Sequence, residues 1–180
     1  MSVLFEYIFL VFSLVWFVVF GYVLVFFSLK FILPFFFFGA PYVASQQSDI
    51  EKIIEVAQVE IGQKAVDLGA GDGSIIIALA KKGVETHGYE INPVLVAKAH
   101  RKINELGLGR KAFMHQSNFW HQDISPFDVI IIYGISFAMG RLEKKLEKEA
   151  KSGAKIISNY FALPHWQPLK KEGRIYLYKK

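Results

Sequence analysis

The sequence predicts an α/β fold, a parallel sheet with helices on both faces, set behind one N-terminal transmembrane helix. Three observations carry this. The chain opens on a long uncharged apolar run. After it, short Val/Ile-rich stretches alternate with segments of helical periodicity, which implies crossover units. An acid-and-glycine turn joins the first of these strands to its helix.

Tyr7 to Leu29 is 23 residues without a charge, between Glu6 and Lys30. A helix of that length is roughly 34 Å long, enough for a hydrocarbon core of about 30 Å. Phe, Val and Leu occupy every face, so a soluble core helix with a polar stripe does not fit. A signal peptide does not fit either, since a basic n-region and an A-x-A site are both missing. Phe31 to Val43 holds Pro34, Phe35 to Phe38, Gly39 and Pro41. It is too short to span, and reads as an interfacial elbow with aromatics at headgroup level or as a segment packed on the following domain. Twelve of the 17 Phe precede residue 44, which marks the division. The chain is therefore read as a transmembrane helix (1–30), an elbow or linker (31–47) and an α/β domain (48–180). Lys30 and Lys52 follow the span and no basic residue precedes it, so the positive-inside rule puts the domain in the cytoplasm. The chain has no Cys, which excludes disulfides, thiolate zinc sites and a Cys nucleophile. The five His show no metal spacing, and no metal is expected. A net charge of +5 lies beyond the span and suits an anionic membrane surface, nucleic acid or an ordinary solvated face.

Within the domain, Ser48 and Glu51 form a capping-box pattern ahead of Ile50, Ile53, Ile54 and Ala57, the apolar face of a helix. Ala65 to Leu68 is a strand. Ser74 to Lys82 is a helix closed by Gly83. Thr86 to Glu90 is the second strand, and Asn92-Pro93 caps a helix with Leu95, Ala99, Ile103 and Leu106 inward, ended by Gly107. Ala112 to Gln116 is a weaker strand. Phe127 to Ile132 contains four consecutive Val/Ile residues, the mark of burial on both faces. Arg141 to Lys151 is an amphipathic helix with Leu142, Leu146 and Ala150 inward. Lys155 to Ser158 and Ile175 to Tyr178 are the closing strands.

The central motif is Asp67-Leu68-Gly69-Ala70-Gly71-Asp72-Gly73, at the strand-to-helix handover where open α/β sheets bind ligands. A dinucleotide fingerprint needs glycines at 69, 71 and 74, but position 74 is Ser. The observed D-x-G-x-G-x-G spacing resembles motif I of class I S-adenosylmethionine-dependent methyltransferases. The chemistry agrees: Asp67 suits the cofactor's amino group and sulfonium, while Asp72 would repel a phosphate. Glu90 ends the second strand about 20 residues past the turn, where an acid hydrogen-bonds ribose hydroxyls. The resemblance implies a Rossmann-like class I methyltransferase sheet. It also implies a cofactor site of Asp67, Gly69, Ala70, Gly71, Asp72, Gly73, Glu90 and Ile91, with Ser117, Asn118 and Phe119 around the adenine: Asn118 bonding its amino group and Phe119 stacking on the ring.

A closer resemblance is carried by Gly88-Tyr89-Glu90-Ile91-Asn92-Pro93, by the Pro41-Tyr42-Val43 lead-in and by Tyr160-Phe161-Ala162-Leu163-Pro164-His165-Trp166-Gln167-Pro168. These are similar to protein-lysine methyltransferases of the adenine nucleotide translocase and ATP synthase c-subunit type and their archaeal broad-specificity relatives. The sequence departs from them in Ala44-Ser45 and in Asn118-Phe119-Trp120, which leaves the target open. The resemblance implies methyl transfer to lysine of membrane or membrane-associated proteins. Transfer needs a neutral amine held in line in an apolar slot. Trp120, Tyr133, Phe161 and Trp166 are the candidate walls, and Asn159 or Tyr133 the acceptor of an amine hydrogen bond. No catalytic base is assigned. Asn-Pro-Pro-Tyr does not follow the fourth strand, where Ile131-Ile132-Tyr133-Gly134-Ile135 stands, which argues against adenine or glutamine amide acceptors. A lipid or quinone methyltransferase and a non-catalytic cofactor-binding module at the membrane stay open. RNA methylation rests on charge alone.

Overall fold

The computed structural model describes residues 2–32, 46–133 and 136–180, and it divides into two compact units, Met1–Pro41 and Tyr42–Lys180. Nearly all of the elbow at 31–47, including Pro41-Tyr42-Val43, lies outside the described residues, as do Gly134 and Ile135.

The first unit is helical. Helix α1 (Ser2–Phe27) passes into one π-type turn, Ser28–Ile32. Its stretch Phe5–Lys30, whose most apolar 18 residues have a mean hydropathy of 2.7, is long and apolar enough to cross a membrane. Trp16 and Phe17 are exposed to 72% and 77%.

The second unit holds helix α2 (Gln47–Ala57), strand β1 (Lys64–Leu68), helix α3 (Ser74–Lys81), strand β2 (Glu85–Glu90) and helix α4 (Pro93–Glu105). Strand β3 (Ala112–Gln116), strand β4 (Val129–Ile132), helix α5 (Met139–Glu149) and strands β5 (Lys155–Asn159), β6 (Lys170–Glu172) and β7 (Ile175–Lys179) complete it. The seven strands order as β3-β2-β1-β4-β5-β7-β6. From β3 to β5 every pairing is parallel, whereas β7 runs antiparallel to both β5 and β6. The parallel part of the sheet, expected from alternation, ends there because the segment between β5 and β7 contains no crossover helix. A hairpin through Gly173 and Arg174 returns the chain directly.

Alternation along the strands sends residues to two cores. Val66, Leu68, Ile130, Ile132, Ile156 and Tyr178 pack with Leu142 and Leu146 of α5. Ala65, Val129, Ile131, Ile157 and Ile175 pack on the other face with Ile53 of α2 and Leu79 of α3. Helix α4 joins α3 over β3 through Val96, Ala99 and Ile103. The chain runs outward from β1 through β2 to β3 and then crosses back to β4 on the other side of β1, so the strand order reverses at β1. Such a reversal opens a crevice at the carboxyl edge.

Three local expectations are corrected. Helix α2 starts one residue before Ser48 with Gln46 as its cap, and Glu51 accepts from the Gln47 side chain at 3.0 Å rather than completing a capping box. In α4, Val96 is buried and Leu106 is 48% exposed, because Leu106 already stands at the helix end. Helix α5 begins at Met139, and its inner side carries Glu143 and Lys145 as well as leucines. Lys145 donates to the Gln122 carbonyl at 2.8 Å and pairs with Glu149 at 2.5 Å. Glu143 accepts from the backbone N–H groups of His165 at 2.9 Å and Trp166 at 2.8 Å, and from His165 Nδ1 at 2.7 Å. One buried carboxylate thus fastens the segment after β5 to α5. Glu143→Ala leaves those amides without their acceptor, and a loss of about 2–4 kcal/mol is expected in urea unfolding. An unchanged midpoint would show that the segment is held by packing alone.

Candidate functional site

The turn after β1 is stitched to the end of β2. The N–H groups of Gly69 and Ala70 both donate to the Tyr89 carbonyl, at 2.9 and 3.0 Å, and Gly73 N–H donates to Ala70 O at 2.9 Å. Gly69, Gly71 and Gly73 have φ of 88°, 55° and 77°, so the alternating glycines are the left-handed positions of one tight turn. Gly73 has a second reason: a Cβ there would stand 2.9 Å from Cβ of Ala99, so its absence lets α4 approach the turn. A Cβ on Gly69 would meet nothing within 4 Å, which leaves open space over the turn.

Glu90 closes the turn from the other side. Its Oε2 accepts from Gly71 N–H at 3.0 Å and its Oε1 from Asn92 N–H at 2.9 Å, tying the glycine turn to the first residues of α4. Asn92 caps that helix by accepting from Val94 N–H, with Pro93 next, as the sequence predicts. Half-buried Ile91 lies between these two anchors.

Asp67 lies in β1 at 2% exposure, and its Oδ1 is buried without a hydrogen-bond partner. Burial, reinforced by the charge of Glu90, pushes its carboxyl up to about 7. Ser117 Oγ, just past β3, and Asn159 Oδ1, at the end of β5, are likewise buried and unpartnered. Unsatisfied buried polar atoms are rare in folded proteins. Here three stand at the carboxyl ends of β1, β3 and β5. This edge offers unpaired polar atoms that a polar ligand could complete, and the chemistry of Asp67 and Glu90 suits a cation and hydroxyl donors.

Asp72 has a different job. Its Oδ1 accepts from Ser74 Oγ at 2.6 Å, and its Oδ2 pairs with Lys102 at 2.6 Å and Lys98 at 3.1 Å. Burial opposes its charge, but Lys102, Ser74 and Lys98 together hold the carboxyl well below the usual range. The expectation that Asp72 repels a phosphate therefore fails, because two lysines of α4 neutralise it. Those lysines, spaced four apart, become legible only once α4 is known to lie against the turn.

Asn118 behaves first as a turn residue: its Oδ1 accepts from Trp120 N–H at 3.0 Å and caps the short helical turn Phe119–His121. That oxygen is the atom an adenine amino group would need, and it is shared with the backbone. Phe119 and Trp120 pack together with ring centroids 4.7 Å apart, and the Arg141 guanidinium lies 4.0 Å over the Trp120 ring.

The candidate acceptor residues separate into groups. Tyr133 follows β4 and Asn159 ends the neighbouring β5, so the parallel register sets them abreast, one step beyond Ile132 and Ser158. Tyr133, Tyr160 and Phe161 form a chain of rings at 6.1 and 5.4 Å. Trp120 belongs instead beside α5. Trp166 meets the Tyr178 ring edge-on at 6.4 Å, with Lys180 Nζ 5.5 Å from its own ring. Tyr178 pairs with Ile156 and Lys180 bonds Ala154, so Trp166 lies toward the amino end of β5, away from Asn159. Arg174 and Asp49 have no local sequence pattern that marks them, and Tyr160, though it opens the stretch that carries the resemblance, is not among the candidate walls.

The chain matches the family model described as the ANTKMT methyltransferase domain over residues 67–170. It is 37% identical over 128 residues to the human ATP synthase c-subunit lysine N-methyltransferase, covering 71% of this chain and 54% of that protein. It is 33% identical over 130 residues to a protein-lysine N-methyltransferase of Saccharolobus islandicus, covering 71% of this chain and 81% of that one. The chain thus spans about half the length of the human relative. A crystal structure of an RNA methyltransferase from Salinibacter ruber with S-adenosyl-L-homocysteine aligns at a TM-score of 0.72 and 28% identity, over 76% of this chain and 93% of that one.

The Asp67 carboxyl holds its proton more tightly folded, at about 7, than at its ordinary 3.8. Its ionisation therefore costs stability progressively as pH rises from about 4 to 7, and the full cost is present above 7. Asp67→Asn removes that cost without changing shape. The variant is expected to be more stable than the wild type by about 2–4 kcal/mol at pH 8, with the gap shrinking below pH 7 and closing near pH 4. Denaturant titrations across that range check it; a gap independent of pH would refute the raised carboxyl.

Proposed function

The chain belongs to the ANTKMT methyltransferase-domain family, and on that premise we propose that it methylates lysine side chains of proteins, drawing on S-adenosylmethionine, with membrane or membrane-associated proteins as targets. One observation carries the cofactor reading: the unpartnered buried carboxylate of Asp67 beside Glu90 at the point where the strand order reverses. Asp67 suits a cationic ammonium, whose arrival would return the carboxyl to its ionised form. Glu90, with both oxygens already fixed by backbone N–H groups, keeps lone pairs for ribose hydroxyls. Ser117 Oγ and Phe119 suit the adenine end. When bound, S-adenosylmethionine supplies a sulfonium methyl carbon that takes the amine lone pair as its bond to sulfur breaks, leaving S-adenosylhomocysteine.

The protein's share is to present a neutral amine. Lysine has an ordinary pKa of about 10.4, and an apolar surround lowers it. Tyr133, Tyr160 and Phe161 supply that surround, and Asn159 Oδ1 supplies an acceptor for one amine N–H. The orbital that attacks is thereby aimed, and the proton shed in the reaction passes to water.

The relatives' names support a protein substrate, and that of the human relative gives the ATP synthase c subunit as its own target. Helix α1 supports a tether, with the domain on the cytoplasmic side. The RNA methyltransferase from Salinibacter ruber favours a second reading, RNA as acceptor.

The test uses the detergent-solubilised full chain, methyl-labelled S-adenosylmethionine and a membrane extract. Label is counted separately in protein, lipid and RNA, with excess S-adenosylhomocysteine as control. Label recovered as methyllysine after hydrolysis of the protein fraction is expected. Label in RNA or lipid would replace the acceptor, and none above control would reduce the chain to a binding module.

A further inference from the structure

We infer that Tyr160, braced by Arg174 and Asp49, is the wall of the acceptor slot against which the methylene chain of the incoming lysine lies; this rests on the lysine reading above. Among the described residues, Gln58 and Tyr160 are the non-glycines with positive φ. Gln58 follows the last turn of α2, a place where left-handed residues are ordinary. Tyr160 directly follows a strand, with φ 82°, a costly state for a bulky side chain. Burial does not offset that cost, since Tyr160 is 46% exposed.

The surroundings hold it there instead. Tyr160 N–H donates to the Arg174 carbonyl at 2.8 Å. The Arg174 guanidinium stands 4.9 Å from the Tyr160 ring centroid, and its Nη2 is ion-paired with Asp49 of α2, a residue at 8% exposure. Three elements, α2, β5 and the turn before β7, thus converge to fix one half-exposed ring. That ring lies between Tyr133 and Phe161 and next in sequence to Asn159. A strained residue whose ring is held in place yet left partly in solvent is arranged for something outside the fold.

A lysine side chain matches what is presented. Its four methylenes pack on an aromatic face while its nitrogen reaches the unpartnered Asn159 Oδ1. A methylated amine that regains its charge is also stabilised over the same ring face. Asp49 neutralises Arg174, so the brace does not repel a cationic product. Arg174 and Asp49 act through Tyr160 and are positioning residues.

The probe is an S-adenosylhomocysteine analogue in which nitrogen replaces sulfur and carries an aminopentyl arm, titrated calorimetrically into the detergent-solubilised full chain beside S-adenosylhomocysteine itself. The ratio of the two affinities reads the arm together with the nitrogen-for-sulfur exchange, and the Tyr160 variants, which leave the exchange unchanged, separate the two. The wild type is expected to bind the armed analogue at least tenfold more tightly. Tyr160→Asn, which tolerates the left-handed backbone, is expected to lose that gain while its S-adenosylhomocysteine affinity stays within about twofold and its melting temperature does not fall. Tyr160→Phe keeps the gain, and Arg174→Gln lowers it at least threefold. A wild type without preference for the arm would overturn the lysine reading and this inference together. A Tyr160→Asn variant that keeps the preference, or loses affinity for both ligands equally, would overturn this inference alone.

Discussion

The Glu90 carboxylate is the constraint on which the functional edge depends. It stands at the end of β2, and its two oxygens take one backbone N–H from the glycine turn and one from the start of α4. Those two segments come from opposite ends of a β-α-β unit, and the Asp72 pairs with Lys98 and Lys102 add a second tie between the turn and α4. With Glu90 in place, the turn can lie against Tyr89, α4 can close on Gly73, and the Asp72 carboxylate falls within reach of Lys98 and Lys102. The same charge, added to burial, raises Asp67. Structure and electrostatics at the carboxyl edge therefore share one origin.

The glycine turn of this edge is legible in the sequence because its geometry admits few residue types. Left-handed positions in a tight turn select glycine, and the spacing 69, 71, 73 records three of them. Asn92-Pro93 is legible for a similar reason: capping and a fixed φ leave a chemical signature. The run Val129 to Ile132 declares a central strand because both of its faces are covered. Where the deciding factor was packing, the reading slipped. Leu106 and Val96 are equally apolar, and only the end of α4 decides which is buried. Glu143 and Lys145 look like solvent residues until the partners that satisfy them, from 22 residues or more away in sequence, are known.

The proposed acceptor slot is far less legible. Aromatic residues near the end of the chain all looked alike as slot walls, yet Trp166 is carried toward the amino end of β5 by the antiparallel β7, and Trp120 is held beside α5 under Arg141. The rings that do gather are those of Tyr133, Tyr160 and Phe161, which flank Asn159 in register and in sequence. The pair that braces Tyr160 joins positions 125 residues apart, so no local pattern announces it. Its backbone strain has no sequence signature either, since Tyr is not a residue that a left-handed position selects.

The most direct measurement is a calorimetric titration of S-adenosylhomocysteine into the wild-type chain and into Glu90→Gln, each with its thermal transition recorded. Glu90→Gln keeps the shape but replaces one acceptor oxygen with a donor. Affinity lower by at least about 30-fold, or roughly 2 kcal/mol, with a cooperative transition retained, is the predicted result. Equal affinity in the two proteins would contradict the assignment of this carboxylate as the centre of the cofactor site.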